Sequence, residues 1–380
     1  MKNLCVSFIC ILLFLFFVGC ETESIPTSFS NLSASTSLFE NDLEKIELNE
    51  KDLSVLTNNS LKKTSEDEQR DPIVDELLLK YFSMAISKSL KHPVICQTLK
   101  KKIGEKFDGD FDILWNDIKE TQIGDNYLGE LIDSRFSDNT RQLLSIDIIE
   151  EIPLLQVSLP VNYHDWDGKS TILVAYTPLT IDDMEWKEIY AYDANLKEYI
   201  LDAKTEPEFP VMVVGINERV EYLQSAETQF NRSLGKTSAG GRLSEEYLYR
   251  IKIFEDGEGW LSGDPEIYIV SAGTNNTYNR KERANLPSVN EIDHWYYPNI
   301  VLFNWETEIW GPYTGYGVFE YDPDIYNYSV TILIPNVEVK VKNKDNDDFI
   351  GNIYSIPYSH TTLADYAFDD VQMRLFYYEE

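Results

Sequence analysis

From residue 150 to the end, the chain is a succession of short apolar runs, each about as long as one β-strand. Prolines, glycines and acidic residues separate these runs, and such residues end strands and start turns. A first group of runs ends near residue 225, and a second group fills residues 246–380. The second group is about as long as one β-sandwich domain. The larger part of the chain is therefore restricted to β-structure.

Residues 71–149 have a different pattern, which predicts helices. The pair Asp71-Pro72 offers an N-cap followed by proline at the first helical position. Apolar residues then recur with helical spacing until the pair His92-Pro93, after which a second helix is predicted. A third short helix is predicted over 107–118. Its acidic start, residues 108–112, suits the positive end of a helix dipole better than half of a calcium loop.

The expected fold class is α+β with several domains: an N-terminal helical segment, a small β-rich middle domain and a C-terminal antiparallel β-sandwich. Residues 21–70 are rich in Ser, Thr, Asn and acids without an apolar period, which is typical of a flexible tether. The predicted boundaries are 1–20 for a signal peptide, 21–70 for the tether, 71–149 for the helical region, 150–225 for the β-rich domain, 226–245 for a linker and 246–380 for the sandwich.

The first 20 residues resemble the export signal of bacterial lipoproteins. Lys2 precedes an apolar stretch, Leu4–Val18, that is shorter than a membrane-spanning helix. The run Phe17-Val18-Gly19-Cys20 is similar to a lipobox, although Phe stands where Leu is usual. The resemblance implies that Cys20 is lipidated and becomes the N-terminus. A retained membrane helix is the alternative.

This signal predicts the location of the protein. We expect an outer-membrane lipoprotein of the bacterial cell envelope, with the membrane contacted through the lipid on Cys20. Glu21 and Glu23 follow the cysteine directly and resemble the acidic signal that sends some lipoproteins to the cell surface. They favour the surface over the periplasm.

The charge of the chain argues against a nucleic-acid partner, and its cysteine content argues against a stabilising disulfide. The chain has 65 acidic and 33 basic residues, a formal net charge of −32. Such a field repels nucleic acid and attracts cations, so we expect no nucleic-acid partner. Export removes Cys5 and Cys10, and Cys20 is lipidated, which leaves Cys96 without a disulfide partner, as a small core residue. Burial or bound ions must stabilise the fold.

Acidic residues of the last region stand beside the predicted strand ends. Asp256 follows one strand, and the run 263–268 (GDPEIY) opens the next. Glu320 and Asp322 follow another strand, and the run 347–351 (DDFIG) comes later. Calcium takes about six to eight oxygen ligands, which such loops can supply from several turns. The alternative is ordinary turn chemistry, because Asp and Asn favour turns.

These segments resemble the calcium-binding C-two domains, β-sandwiches that bind phospholipid through acidic loops. The resemblance implies a calcium site made of acids from two loops: Asp256, Asp264, Glu320, Asp322, Asp347 and Asp348. The insertion 325–344 departs from the family pattern, and Asp345, Asp347 and Asp348 alone are a second candidate for the third loop. The whole mature chain is also similar to bacterial lipoproteins of unknown activity.

Motifs for catalysis are weak in this sequence. The four histidines form no zinc motif, and no nucleophile elbow occurs. The run 164–167 (HDWD) is the most enzyme-like cluster, although a polar turn over a packed Trp166 explains it better. An aromatic group could stack on carbohydrate or fill the core: Trp295, Trp305, Trp310, Tyr296, Tyr297 and Tyr313.

We therefore assign no catalytic residue and leave a protein or glycan partner open. The expected function is that of an exported, lipid-anchored cell-envelope protein. Its sandwich is expected to bind calcium for stability or recognition. A secreted hydrolase that acts on polysaccharide or peptide through paired carboxylates is the alternative.

Overall fold

Mainly antiparallel β-sheets supply most of the regular secondary structure in the described chain, and helices are few. The structure is a computed structural model. It describes residues 45–59, 71–144, 149, 151–181, 185–220, 222–223, 244–255, 259–274, 279–305, 307–321, 329–334, 337–342, 349–357 and 364–379. The predicted signal peptide, and with it Cys20, lies outside these ranges, as does the predicted linker except for residues 244 and 245, which begin a strand. The domain boundaries therefore stay predictions.

The helices lie mainly before the first sheet. They are α1 (Glu50–Asn59), α2 (Pro72–Ser89), α3 (Pro93–Ile103), α4 (Trp115–Ile118), α5 (Leu128–Asp133), α6 (Asp138–Arg141) and, much later, α7 (Thr307–Trp310). Helix α2 begins at Pro72 with Asp71 as its N-cap, as the sequence predicts. The Asp71 carboxylate accepts a hydrogen bond of 3.0 Å from the backbone N–H of Ile73. None of these helices is long and apolar enough to cross a membrane.

The predicted third helix over 107–118 is wrong for most of its length. Residues 107–111 form bends, and Asp112–Leu114 is a strand, β1, paired antiparallel with residues 156–158. Only α4 is helical there. The acidic side chains of this segment hydrogen bond to residues about a hundred positions away, so non-local contacts outweigh the local preference for a helix start.

Six strands form the first sheet, in the order β1-β4-β8-β5-β6-β7. The five strands that follow β1 in this sheet are β4 (Leu155–Val161), β5 (Leu173–Tyr176), β6 (Glu188–Tyr192), β7 (Glu198–Asp202) and β8 (Val211–Ile216). Strands β5 and β8 are parallel, and the other neighbours are antiparallel. A small hairpin, β2 (Gln122–Ile123) with β3 (Asn126–Tyr127), lies outside this sheet.

Helix α2 packs against β5, β6 and β8 of this sheet. Its apolar side chains at helical spacing, among them Leu78, Phe82 and Ile86, are fully buried. Near the end of the helix, the Ser87 hydroxyl donates a hydrogen bond of 2.9 Å to the backbone carbonyl of Tyr192 in β6. The helix is thus held on the sheet by both apolar burial and a buried hydrogen bond.

Two four-stranded antiparallel sheets follow, in the orders β12-β9-β18-β17 and β11-β10-β13-β16. Their strands are β9 (Ser244–Ile253), β10 (Ile267–Thr274), β11 (Asn279–Asn285), β12 (Ile300–Asn304), β13 (Tyr313–Glu320), β16 (Phe349–Pro357), β17 (Ala364–Phe368) and β18 (Val371–Glu379). A hairpin of β14 (Ser329–Ile334) and β15 (Val337–Lys342) completes the strands.

Both four-stranded sheets contribute to one buried apolar cluster. Ile251 of β9 and Met373 of β18 come from one sheet, and Ile269 of β10 and Val318 of β13 come from the other. Residues 43–380 form a single compact unit. Within it, the segment between β9 and β10 packs on the six-stranded sheet, where Leu261 joins a second apolar cluster.

Candidate functional site

One four-stranded sheet brings the ends of three strands together, and described acidic residues lie at two of these strand ends. Ile267, the first residue of β10, pairs with Glu320 at the end of β13, and Phe349, the first residue of β16, pairs with Phe319. The Glu320 carboxylate is fully buried and accepts a hydrogen bond of 2.8 Å from the backbone N–H of Glu266. The sheet end therefore holds Glu266 and Glu320 side by side.

Two of the six predicted calcium ligands are described. Asp264 lies two positions before Glu266, and its carboxylate accepts a hydrogen bond of 3.1 Å from the side-chain amide of Asn290. Glu320 lies at the same sheet end through its contact with Glu266. The other four predicted ligands are outside the described residues: Asp256, Asp322, Asp347 and Asp348.

The structure also brings acids from the first part of the chain to this end, which the sequence interpretation missed. Five acids and two residues that contact them form a group that we call the acidic junction: Asp108, Asp110, Asp112, Asp264 and Glu266, with Asn217 and Arg219. The segment after β8 supplies Asn217 and Arg219, and the bend before β1 supplies the first two acids. The alternating acids Asp108, Asp110 and Asp112 could have indicated a functional site in the sequence. The sequence contains no indication of which distant residues they contact.

Arg219 is the cation at the centre of the acidic junction. Its Nη1 lies 2.9 Å from Glu266 Oε1 and 3.2 Å from Asp110 Oδ2, and its Nε donates a hydrogen bond of 3.2 Å to the backbone carbonyl of Asp108. The guanidinium lies beside Gly109, where an added Cβ would be 3.6 Å from Nε, an ordinary van der Waals contact. Gly109 also has a φ of +123°, a conformation that other residues rarely adopt.

Asn217 joins a second pair of acids. Its side-chain Nδ2 lies 2.8 Å from Asp112 Oδ2, 2.9 Å from Asp108 Oδ2 and 3.0 Å from Gln156 Oε1. Its Oδ1 accepts a hydrogen bond of 2.8 Å from the backbone N–H of Val220, which fixes the orientation of the amide. Asp112 is only 4% exposed, and its Oδ1 has no hydrogen-bond partner in the described structure.

Burial and mutual repulsion raise the pKa values of these acids. Burial raises the pKa of Asp110 to about 7, where Arg219 opposes the rise and the neighbouring Asp264 adds to it. Burial and the neighbouring Asp108 raise the pKa of Asp112 to about 8. Burial also raises the pKa of Glu266 well above its ordinary value, despite Arg219. The junction has five carboxyl groups for one guanidinium, and these raised pKa values favour the protonated forms of Asp110, Asp112 and Glu266.

In the described part of the chain, no group of three or more His, Cys, Asp and Glu side chains is placed to hold a metal ion. Within the acidic junction, the N–H groups of Asn217 and Arg219 lie between the carboxylates. The neighbouring carboxyl groups of Asp264 and Asp108 favour the protonated forms of Asp110 and Asp112, respectively.

Other candidates from the sequence have structural roles. Trp166 is buried beneath a turn in which Asp167 Oδ1 accepts hydrogen bonds of 2.8 Å from the backbone N–H groups of Lys169 and Ser170. Cys96 is buried, and burial raises the pKa of its thiol to about 11, which leaves it unreactive. Trp305 and Trp310 are each 3% exposed and belong to the core rather than to a surface platform.

A comparison with protein-family models gives a match over much of the described chain. A family model with the description "Protein of unknown function (DUF3103)" matches residues 83–334. The matched range begins in α2, contains the six-stranded sheet from β1 to β8, and ends with β14. No curated protein matches the chain.

Proposed function

The chain belongs to the DUF3103 family, and on the geometry described above we propose that it is an exported, lipid-anchored protein of the bacterial cell envelope that binds calcium. The calcium site lies at one end of a C-terminal β-sandwich and serves stability or recognition. Its ligands are acids of the loops at that end. Cys20 anchors the protein to the outer membrane.

A single observation carries this proposal: three neighbouring strand ends lie together, and predicted ligand residues stand at or next to each of them in the sequence. Asp264 precedes β10, Glu320 ends β13, and β16 starts beside them. In the sequence, Asp322 follows Glu320 by two positions, and Asp348 directly precedes Phe349 of β16. Acids far apart in the chain are thus attached to neighbouring strand ends, which is what a shared ion requires.

The paired sheets support the sandwich on which this site depends. Side chains from both four-stranded sheets fill one apolar cluster, as the two inner faces of a sandwich do. Ile253 at the end of β9 belongs to that cluster and pairs with Val371. Asp256 follows three residues later in the sequence.

Electrostatics at this end favour a divalent cation. Glu266 and Glu320 are buried next to one another, and Arg219 is the cation that contacts Glu266. Additional carboxylates in the same place repel one another and lower stability unless a cation compensates them. A bound calcium ion would relieve that repulsion, and the folded state would gain stability with calcium concentration.

The experiment is a calcium titration followed by thermal unfolding of the full chain in detergent. At about 100 times the dissociation constant, one site adds about 2.7 kcal/mol, a shift of roughly 4 °C for a chain of this size. We expect this shift to disappear in Asp264→Asn and in Asp348→Asn. The matched control is Asp125→Asn, an exposed acid in the β2–β3 turn, which should retain the full shift.

Two results would contradict the calcium site. The first is a melting temperature that is the same in excess calcium and in excess chelator. The second is a calcium shift of equal size in the wild type and in both Asp264→Asn and Asp348→Asn, because the ion would then bind elsewhere.

One observation favours the hydrolase alternative. Burial raises the pKa of Asp110 to about 7, its side chain is 18% exposed, and it lies beside Asp264, so Asp110 can hold or release a proton near neutral pH next to a second carboxyl group. Such pairs act as general acid and base. Turnover of a polysaccharide or peptide that is lost in Asp110→Asn and unaffected by chelator would favour this function over the calcium proposal.

A further inference from the structure

A β-bulge places two consecutive side chains on the outer surface of the sheet β12-β9-β18-β17. Strand β9 pairs regularly with β18 except for a register shift between Arg374 and Leu375. In β9, Leu248 and Ile251 are buried in the core, whereas Tyr249 is exposed and Arg250 is half-buried. The shift therefore brings both intervening residues to the outer side, and bulges often redirect side chains in this way at functional sites.

Aromatic rings flank this bulge. Tyr297 is 58% exposed, and its ring meets that of Tyr249 edge to face, with 5.8 Å between the centroids. The guanidinium of Arg250 lies over the ring of the half-buried Trp295, 4.2 Å from its centroid. The rings are held by contacts with one another or with a cation, so they are ordered before any ligand arrives.

A fixed polar group lies next to the rings. Asp365, at the edge of the sheet, accepts hydrogen bonds from Arg374 Nε (2.6 Å), from Arg374 Nη2, and from Arg250 Nη2 (3.1 Å). These hydrogen bonds lower the pKa of Asp365 to about 2, so that it stays ionised and both arginines stay oriented. The Asp365 side chain is 51% exposed and can accept further hydrogen bonds from a ligand.

The charges of this surface are balanced within it. Asp365 is paired with Arg250 and Arg374. Lys252 lies two positions after Arg250, and its Nζ is 2.5 Å from Asp293 Oδ1. The surface is thus close to neutral in a chain whose formal net charge is −32. A nucleic acid would be repelled by the whole chain, and a basic peptide would meet paired arginines instead of free acids. An uncharged ligand with hydroxyl groups fits this balance.

These residues form one surface, which we call the aromatic–arginine face: Tyr249, Tyr297, Trp295, Arg250, Arg374 and Asp365. We propose that the aromatic–arginine face binds an uncharged saccharide chain. The apolar C–H faces of the sugar rings stack on Tyr297 and Tyr249. Hydroxyl groups hydrogen bond to Asp365 and to the arginines that orient it. This surface shares no residue with the predicted calcium ligands, and saccharide binding does not require them.

The test is affinity electrophoresis of the full chain in native gels that contain laminarin, galactomannan, xyloglucan or dextran. We expect at least one of these four neutral polysaccharides to retard the wild type. For that polysaccharide, Tyr297→Ala should raise the dissociation constant about fivefold, the loss of one stacking contact. Arg374→Gln, which removes the fork on Asp365, should weaken binding by a similar factor.

The matched control is Tyr127→Ala, because Tyr127 is 51% exposed and lies in β3, outside this sheet. It should bind like the wild type. An unchanged melting temperature in Tyr297→Ala will show that loss of binding is not loss of fold. The proposal is overturned if none of the four polysaccharides retards the wild type, or if Tyr297→Ala binds as tightly as Tyr127→Ala.

Discussion

Replacement of Asp112 by Asn tests the electrostatics of the acidic junction. Asp112 is 4% exposed, and burial together with Asp108 raises the pKa of its carboxyl from 3.8 to about 8. Between these two values the folded protein holds a proton that the unfolded chain releases. Stability from this group is therefore fully present below about pH 4, decreases as the pH rises, and is lost above about pH 8.

The size of the effect follows from one proton. A difference of one bound proton between the folded and unfolded states changes the free energy of unfolding by about 1.4 kcal/mol per pH unit. From pH 5 to pH 8 the upper limit for Asp112 is about 4 kcal/mol, reduced where Asp108 shares the proton. Asn is neutral at every pH and has nearly the same shape, so Asp112→Asn should gain stability relative to the wild type as the pH rises.

The assay is urea unfolding of the wild type and of Asp112→Asn at pH 5, 6, 7 and 8, at constant ionic strength. The difference between their free energies of unfolding should move steadily in favour of the variant. Asp117→Asn, an exposed acid in α4, is the control and should run parallel to the wild type. If Asp112→Asn also runs parallel to the wild type, the carboxyl group holds no extra proton and the reasoning fails.

Two further predictions concern the ion pair and the anchor. Arg219→Met should lower the free energy of unfolding by about 3 kcal/mol, because it leaves the buried Glu266 without its cation. The control is Arg141→Met, at a half-exposed ion pair with Asp133, which should lower it by at most about 1 kcal/mol. Equal losses of the two variants in urea unfolding would refute this ranking. Cys20→Ser should move the protein from the membrane fraction to the soluble fraction of the bacterial envelope, and an unchanged membrane fraction on immunoblots would contradict lipidation at that residue.

The strands with strong apolar patterns could be predicted from the sequence, and the polar edge strands could not. The apolar run 211–215 (VMVVG), one of those in the first group, is β8 in the structure, in the middle of its sheet and almost entirely buried. Strands β7 and β11 were missed, and both lie at sheet edges. The sequence of β7 (EYILD) alternates only weakly, and that of β11 (NRKERAN) is mostly polar. An edge strand needs only one paired neighbour and little burial, so its sequence has little apolar signal.

The acidic site could be predicted only in part, for a related reason. Clustering of acids at strand ends indicated where Asp264 and Glu320 would lie, since turn composition is a local property. The contact of Arg219 with Asp110 and Glu266 joins positions that are 109 and 47 residues apart. Such a pairing is set by the packing of whole sheets, and composition or spacing in one sequence does not encode it. The same limit explains why 108–112 was interpreted as a helix start.

The acidic junction lies where the six-stranded sheet meets the later sheets, and that contact has an apolar part and an ionic part. Leu261 is 2% exposed within the apolar cluster of the first sheet, and Trp260 donates a hydrogen bond of 3.0 Å to the backbone carbonyl of Asp202 in β7. Burial of this kind does not change with pH. The ionic part, with Arg219 and five carboxyl groups, does change with pH. We therefore expect pH and calcium to adjust the stability of one folded unit without separating its sheets.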